Sequence, residues 1–314
     1  MTNKEEYRLF CESEKNNMPI YSQYWWMEAV CAEKSWDVLL VKNSRQEIIA
    51  SLPYLLDEKI ILKYVQMPVL TQTNGIYIKK GEEQGKDSIT ADLQSQIERL
   101  NLDVFYQNFP ASPVDKDKFK EKGYTIKERT SYIIENTPDI IDLFKSLDQS
   151  KQRQIKKAQR NNLRLYRDKM TVEQFYAYHD HLLSKRGMRN QIPQIIFTRL
   201  AKKALERNQG CIWSIEGEDG ETQSALFMVW DGQKAYYLVP ANDRDYSTTG
   251  APTMLTWEAI KWTMQKGKTF DFEGSMIPSI AKNYSQFGST PTSYHQLVKT
   301  FSITGKIWAK IKLR

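Results

Sequence analysis

The segment TFDFEGSM (269–276) sets two carboxylates, Asp271 and Glu273, in alternation with Phe270 and Phe272. In a strand that alternation turns both acids to one face. A carboxylate held in a cleft with a raised pKa can take the proton from an amine as it attacks an acyl carbon. The same spacing equally suits acids that pair with a nearby Lys or Arg, or that cap the helix-like run SMIPSIAKNY behind them. On that run Lys282 and Tyr284 are the groups with chemistry to offer. A lysine there stabilises an oxyanion or holds donor phosphates, and a tyrosine gives a proton to a leaving group; both are also ordinary surface residues.

A second chemistry is written in charge. Eight basic residues and a single acid, Asp168, lie between Lys151 and Lys169. Wound as a helix, the run SKQRQIKKAQRNNLRL (150–165) spreads Arg153, Lys156, Lys157 and Arg160 over about half its circumference and turns Ile155 and Ala158 to the core. Such a face is either a solvated surface or a cradle for the phosphates of a nucleotide, tRNA or acidic lipid. No aromatic residues interleave with the cations, so neither base reading nor sequence-specific DNA binding is expected. The loop NDRDYSTTGAPTM (242–254) places Ser247, Thr248, Thr249 and Gly250 just ahead of a helix. Free backbone N–H groups at a helix start, made approachable by glycine, suit a pyrophosphate. Thr249 as a plain N-cap is the alternative.

Other chemistries are missing their parts. His179 and His181 flank Asp180, but residues two apart on a helix do not face each other, and His295 has no companion. There is no Ser-His-Asp elbow, phosphate-binding Gly-Lys-Ser/Thr loop or dinucleotide fingerprint. Cys11, Cys31 and Cys211 are odd in number and widely spaced, which suits a reducing compartment rather than a disulfide framework or a metal site. No tightly bound cofactor and no metal are expected. Direct attack by a bound amine on a bound acyl donor is the simplest chemistry left, with orientation and oxyanion stabilisation supplied by the protein.

The elements that must position these groups are legible in outline. The 314 residues carry 45 Lys and Arg against 38 Asp and Glu, a net charge of +7, and are 40% hydrophobic, the profile of a folded protein with a modest attraction for polyanions. The polar N-terminal run and the lack of a run of about 20 apolar residues predict a cytoplasmic protein. Trp25, Ala29, Val30 and Glu33 fall at helical spacing; WDVLLVKN and EIIASLPYLL read as a strand hairpin. Ile60–Val65, Leu102–Tyr106 and Ser131–Glu135 add strands, and Asp87–Leu100 is a helix facing inward with Ile89, Leu93 and Ile97. After Asn136 come helices at Pro138–Leu147, from about Ser150, at TVEQFYAYHDHLLSKRG, and from about Gln194 to Arg207. Three strands turning at Asp219-Gly220 and Asp231-Gly232 follow, then a helix from Pro252 and the strand TFDFEGS.

Helices, an antiparallel meander, a crossover helix and a strand make the order of an N-acetyltransferase-like unit, and the first region has a shorter version of it. Two segments, SKQRQIKKAQRNNLRL (150–165) and KTFDFEGSMIPSIAKNYSQFGS (268–289), resemble the Fem family of aminoacyltransferases and their GNAT-fold relatives. The first is similar to that family's Arg-x-x-Ile-(Lys/Arg)-(Lys/Arg)-Ala helix, the second to its "D-F-x-G … F-K-x-x-F-G" signature. The resemblance implies an α/β (α+β) fold of two GNAT-like lobes, each a mixed, largely antiparallel sheet with flanking helices, at 1–135 and 136–300, with a basic amphipathic tail at 301–314. It implies an acyltransferase moving an acyl group from an acyl-CoA or an aminoacyl-tRNA to an amine of a cell-envelope precursor, such as a nucleotide- or lipid-linked muropeptide. The expected site is a cleft with Glu273, Lys282, Tyr284 and Asp271 catalytic, Tyr237, Arg186, Arg189 and Trp26 on the substrate, and Thr248, Thr249, Gly250, Arg153 and Lys157 on the donor.

Two departures stand out. The family's Phe-Lys pair is Asn283-Tyr284 here, and the lysine that relatives carry soon after the N-terminal Trp has no counterpart after Trp26. The competing reading is a catalytically inactive GNAT-like scaffold that binds a polyanionic or lipidic partner. In residues 304–314, Ile307, Trp308 and Ile311 form an apolar stripe opposite Lys306, Lys310, Lys312 and Arg314. That pattern suits either docking on the protein or peripheral contact with the inner membrane face.

Overall fold

The computed structural model describes residues 2–31, 34–59, 61–112 and 115–312. Glu33, Ile60 and Arg314, named above, lie outside the described residues. By internal contacts the chain divides into two units, Met1–Arg129 with Ser293–Arg314, and Thr130–Thr292.

The first unit opens on α1 (Asn3–Ser13), whose Thr2 and Glu5 form a reciprocal capping box. That Thr-x-x-Glu signal lies in the polar N-terminal run, where no helix was expected. Next come α2 (Tyr24–Cys31) and an antiparallel meander of β1 (Trp36–Lys42), β2 (Ile48–Lys59) and β3 (Leu62–Gln66), with the short β4 (Tyr77–Ile78) beside β2. The crossover α3 (Lys86–Arg99) buries Ile89, Leu93 and Ile97, the face its spacing predicted, and leads to β5 (Val104–Pro110), parallel to β3. After α4 (Lys116–Glu121), β6 (Thr125–Ile134) carries the chain into the second unit.

There α5 (Ile140–Ser146) and α6 (Gln149–Arg160) precede β7 (Arg164–Arg167), a strand hidden in sequence by its arginines. After α7 (Val172–Ser184) and α8 (Gln194–Glu206), the strands β8 (Gly210–Glu216), β9 (Thr222–Trp230) and β10 (Lys234–Asn242) form the second antiparallel meander. The crossover α9 (Ala251–Gln265) then leads to β11 (Thr269–Asp271), parallel to β10. The two units therefore share one topology: an antiparallel meander, a crossover helix, then a strand parallel to the meander's last. Each has its own apolar core, one gathered around Phe105 and Phe109, the other around Trp257 and Phe270.

The chain continues through α10 (Pro278–Ser285), β12 (Thr290–Thr300) and α11 (Ile303–Lys312). Here the expected boundaries need correction. Residues 293–300 were assigned to the second lobe and 301–314 to a separate tail, yet both belong to the first unit. The reason is pairing: β12 runs antiparallel to β5 from Tyr294 opposite Pro110 to Thr300 opposite Val104. In turn β11 takes β6 as its antiparallel neighbour, with Phe270 opposite Ile134. Such long-range partners leave no mark on local periodicity.

Candidate functional site

The basic run is a helix as expected. Asp148 caps α6 by accepting from the Ser150 N–H at 2.7 Å, and Ile155 and Ala158 are buried while Arg153, Lys156, Lys157 and Arg160 are exposed. Those four cations line a cavity of about 900 Å³ together with Ser247 and Thr248, from the loop ahead of α9. The loop is held in shape. Asp243 accepts from the Asp245 N–H at 3.0 Å and pairs with the Lys185 ammonium at 3.2 Å. Burial alone would raise the Asp243 carboxyl; these two partners outweigh it and hold the group below its usual range.

Thr249 and Gly250 do different work from their neighbours. The Thr249 hydroxyl donates to the Tyr246 carbonyl at 2.8 Å and accepts from the Ala251 N–H at 3.3 Å, an ordinary start to a helix. Gly250 is left-handed, with φ +93°, and any Cβ there would fall inside contact distance of the Gln154 carbonyl oxygen and 3.1 Å from the Ala158 Cβ. Its service is to let the start of α9 press against α6. Thr253 donating to Gln154 ties the same contact. The result brings Ser247 and Thr248, from the loop ahead of α9, and four cations to one cavity.

A second feature adjoins β10. Its parallel pairing with β11 covers only Lys234–Tyr236, and its register against β9 shifts between Tyr236 and Val239. The bulge ends the two-sided ladder, so Tyr237–Asn242 have no β11 partner for their backbone groups. Tyr237 stands where the strands part. Its ring centroid is 5.7 Å from that of Phe272 and 6.4 Å from that of Tyr284, and its hydroxyl lies 3.2 Å from the Thr256 hydroxyl. Tyr284 stacks on Phe272 at 4.5 Å. Burial first, then the neighbouring Tyr237 and the Glu273 carboxylate, push the Tyr284 phenol well above its ordinary value. It stays protonated at neutral pH, a donor and not a base.

Glu273 belongs to this cluster, but not by strand alternation. The strand β11 ends at Asp271, and Glu273 and Gly274 both turn left-handed at φ +65°. A side chain at 274 would overlap the Thr130 carbonyl, so the kink is pressed onto the backbone of β6. Asp271 goes elsewhere. It is 3% exposed and accepts from the Ser131 hydroxyl at 2.6 Å, the Glu273 N–H at 3.0 Å and the Lys234 ammonium at 3.2 Å. That carboxylate is engaged by three donors, and its bond to the Glu273 N–H holds the kink.

Other expected site residues are not brought there. Lys282 and Tyr284 sit two apart on α10, about 200° around the helix; Tyr284 packs inward and Lys282 is exposed. Arg189 is exposed, while Arg186 donates to the carbonyl of Asn242 at the end of β10. Trp26 is fully buried in the first unit, edge-on to Tyr21 and donating to the Thr71 hydroxyl at 3.0 Å. The apolar run Tyr24–Met27 makes it core, not a substrate contact.

The residue that sequence reasoning passed over is Lys151. It is 6% exposed, donates to the Asn283 side chain at 2.5 Å and lies 4.8 Å over the Phe287 ring; burial lowers its pKa. A cation is thus hydrogen-bonded at the Asn283-Tyr284 pair after all, supplied by α6. The signal was available, since Lys151 shares the i, i+4, i+7 stripe of Ile155 and Ala158. Among the described residues no group of three or more His, Cys, Asp or Glu side chains could hold a metal ion, and no helix is long and apolar enough to cross a membrane.

No curated protein matches the sequence. Residues 147–277 match the model of an acetyltransferase (GNAT) domain. The crystal structure of FemX superposes with a TM-score of 0.75 at 11% identity, covering 100% of this chain and 99% of FemX. L-PGS from Bacillus licheniformis superposes at 0.59 and 11% identity, covering 98% of this chain and 94% of that one. The C-terminal domain of a putative lysylphosphatidylglycerol synthetase from Agrobacterium fabrum does so at 0.59 and 9% identity, covering 99% and 97%. At such identities these likenesses show the fold alone: residues 147–277, within the second unit, are similar to acetyltransferase domains of the GNAT type, in a chain whose fold is similar to that of FemX.

Proposed function

We propose that the protein transfers an acyl or aminoacyl group from a phosphate-bearing donor, an acyl-CoA or an aminoacyl-tRNA, to an amine of a cell-envelope component. One observation carries the reading: the cavity of about 900 Å³ that joins the four cations of α6 to Ser247 and Thr248 in the loop ahead of α9. Four cations and two hydroxyl groups on one cavity suit donor phosphates. The parting of β10 from β11 leaves backbone groups to hold an extended acyl arm. The acceptor amine attacks the acyl carbonyl carbon; its proton passes to Glu273, and Tyr284, kept neutral by burial, donates to the departing thiolate or alkoxide. An envelope acceptor is supported by the Agrobacterium fabrum relative, named as a putative synthetase of lysylphosphatidylglycerol, an aminoacylated lipid.

The test is thermal unfolding with acetyl-CoA, longer acyl-CoAs and charged tRNA at two salt concentrations, for wild type and the double variant Arg153→Gln/Lys157→Gln. A donor at 100 times its Kd stabilises by about 2.7 kcal/mol, roughly 5–10 °C for a unit of this size. The double variant should weaken that donor on the order of tenfold. An effect that falls steeply with salt identifies the tRNA. No shift with any donor, or an unchanged affinity in the variant, overturns the assignment.

A further inference from the structure

The helix α11 meets the first unit with one side only. Gly305 is buried, its Cα so close to the Asp103 carbonyl that a side chain would overlap it, and Trp308 packs on Tyr64 with centroids 4.7 Å apart. Ser302 accepts from the Gly305 N–H at 3.0 Å and donates to Asp103, fixing the start of the helix. The expected stripe of Ile307, Trp308 and Ile311 is therefore split: the tryptophan docks, and the isoleucines do not. Ile303, Ile307 and Ile311 are 77%, 56% and 70% exposed. Spaced four apart, they form one row across the helix from Gly305, with Trp308 flanking it on one side. Lys306 and Lys310 border that row, also exposed.

We infer that this face of α11 is a contact with an anionic lipid surface, the helix lying in the plane of the interface. Three exposed isoleucines in a row are a large apolar commitment for a ten-residue helix, and lysines alongside are what an anionic leaflet recognises. Charge argues for a membrane over a second copy of the chain. From Gly274 to Arg314 the sequence holds six Lys and Arg and no Asp or Glu. A two-fold contact through α11 would set lysines against lysines. Trp308, fixed beneath the helix, and the clasp at Gly305 present the row without the helix having to fold on arrival.

The test is flotation of the full chain with phosphatidylcholine vesicles, with and without one quarter phosphatidylglycerol. It needs no turnover, so its failure leaves the acyl-transfer reading standing, and the reverse. Wild type should float with the anionic vesicles and be released by salt. Lys306→Gln/Lys310→Gln should weaken binding about fivefold per lysine, the equivalent of ~1 kcal/mol each. Ile303→Ser/Ile307→Ser/Ile311→Ser should abolish it with an unchanged unfolding temperature, since none of the three packs on the unit. Wild type left unbound at low salt overturns the inference. So does binding that survives the triple serine variant but is lost with Arg153→Gln/Lys157→Gln, which would assign it to α6. Concentration-dependent dimers of wild type that the serine variant lacks would assign the face to a second copy.

Discussion

Gly250→Ala perturbs the close approach of α9 to α6 beside the proposed donor cavity. An L-residue at φ +93° bears the left-handed penalty, about 1–2 kcal/mol. The added methyl also enters the space held by the Gln154 carbonyl and the Ala158 Cβ, both on α6. Since neither atom belongs to a flexible side-chain end, the helices must separate, and overpacking of this kind costs about 1–3 kcal/mol. The expected loss is about 2–5 kcal/mol, a large share of a total stability of roughly 5–15 kcal/mol. Gly220→Ala is the matched control: it is left-handed too, at φ +80°, but a Cβ there meets nothing within 4 Å. It should show the backbone penalty alone. In urea unfolding the midpoint of Gly250→Ala should fall further than that of Gly220→Ala, with unchanged m-values. Donor affinity should drop only in the first, as Ser247 and Thr248 withdraw from the cations. If the two variants unfold together and bind donor alike, Gly250 is not the spacer described and the cavity does not depend on it.

Two further perturbations address the cluster around Tyr284. Tyr284→Phe keeps the stack on Phe272 and removes only the hydroxyl. Turnover should fall on the order of a hundredfold with KM little changed, as for a lost proton donor; unchanged turnover would make Tyr284 a packing residue. Lys151 has its pKa lowered by burial, so folding disfavours its charged form. The cost is full below the folded pKa and is relieved as pH rises through it toward the unfolded value of about 10.4. Lys151→Met should therefore be at least as stable as wild type at pH 7, with wild type gaining on it as pH approaches 10 in thermal melts. A difference that does not vary with pH contradicts the buried-charge account.

The sequence by itself determined the local elements and the kind of chemistry. The stripe of Ile89, Leu93 and Ile97, the hairpin glycines and the cationic face of 150–165 depend on neighbours within a turn or two, and each appears where its spacing placed it. The order of meander, crossover helix and strand was legible for the same reason, and with it the likeness to GNAT and Fem proteins. Only the tertiary structure decided which side chains share a site. Asp271 and Glu273 were expected on one face as alternate residues of one strand, yet Ser131 and Lys234, distant in sequence, claim the first, while contact with Thr130 bends the chain at the second. Lys151 read as one more surface cation until Asn283 and Phe287 covered it, and Trp26 read as a contact until its apolar neighbours enclosed it. Residues 293–300 left the second lobe, and 301–314 joined the first unit, because β12 found β5. The physical reason is common to all four: periodicity records which face of an element is buried, whereas the partner buried against it is chosen by contacts between segments far apart in the chain.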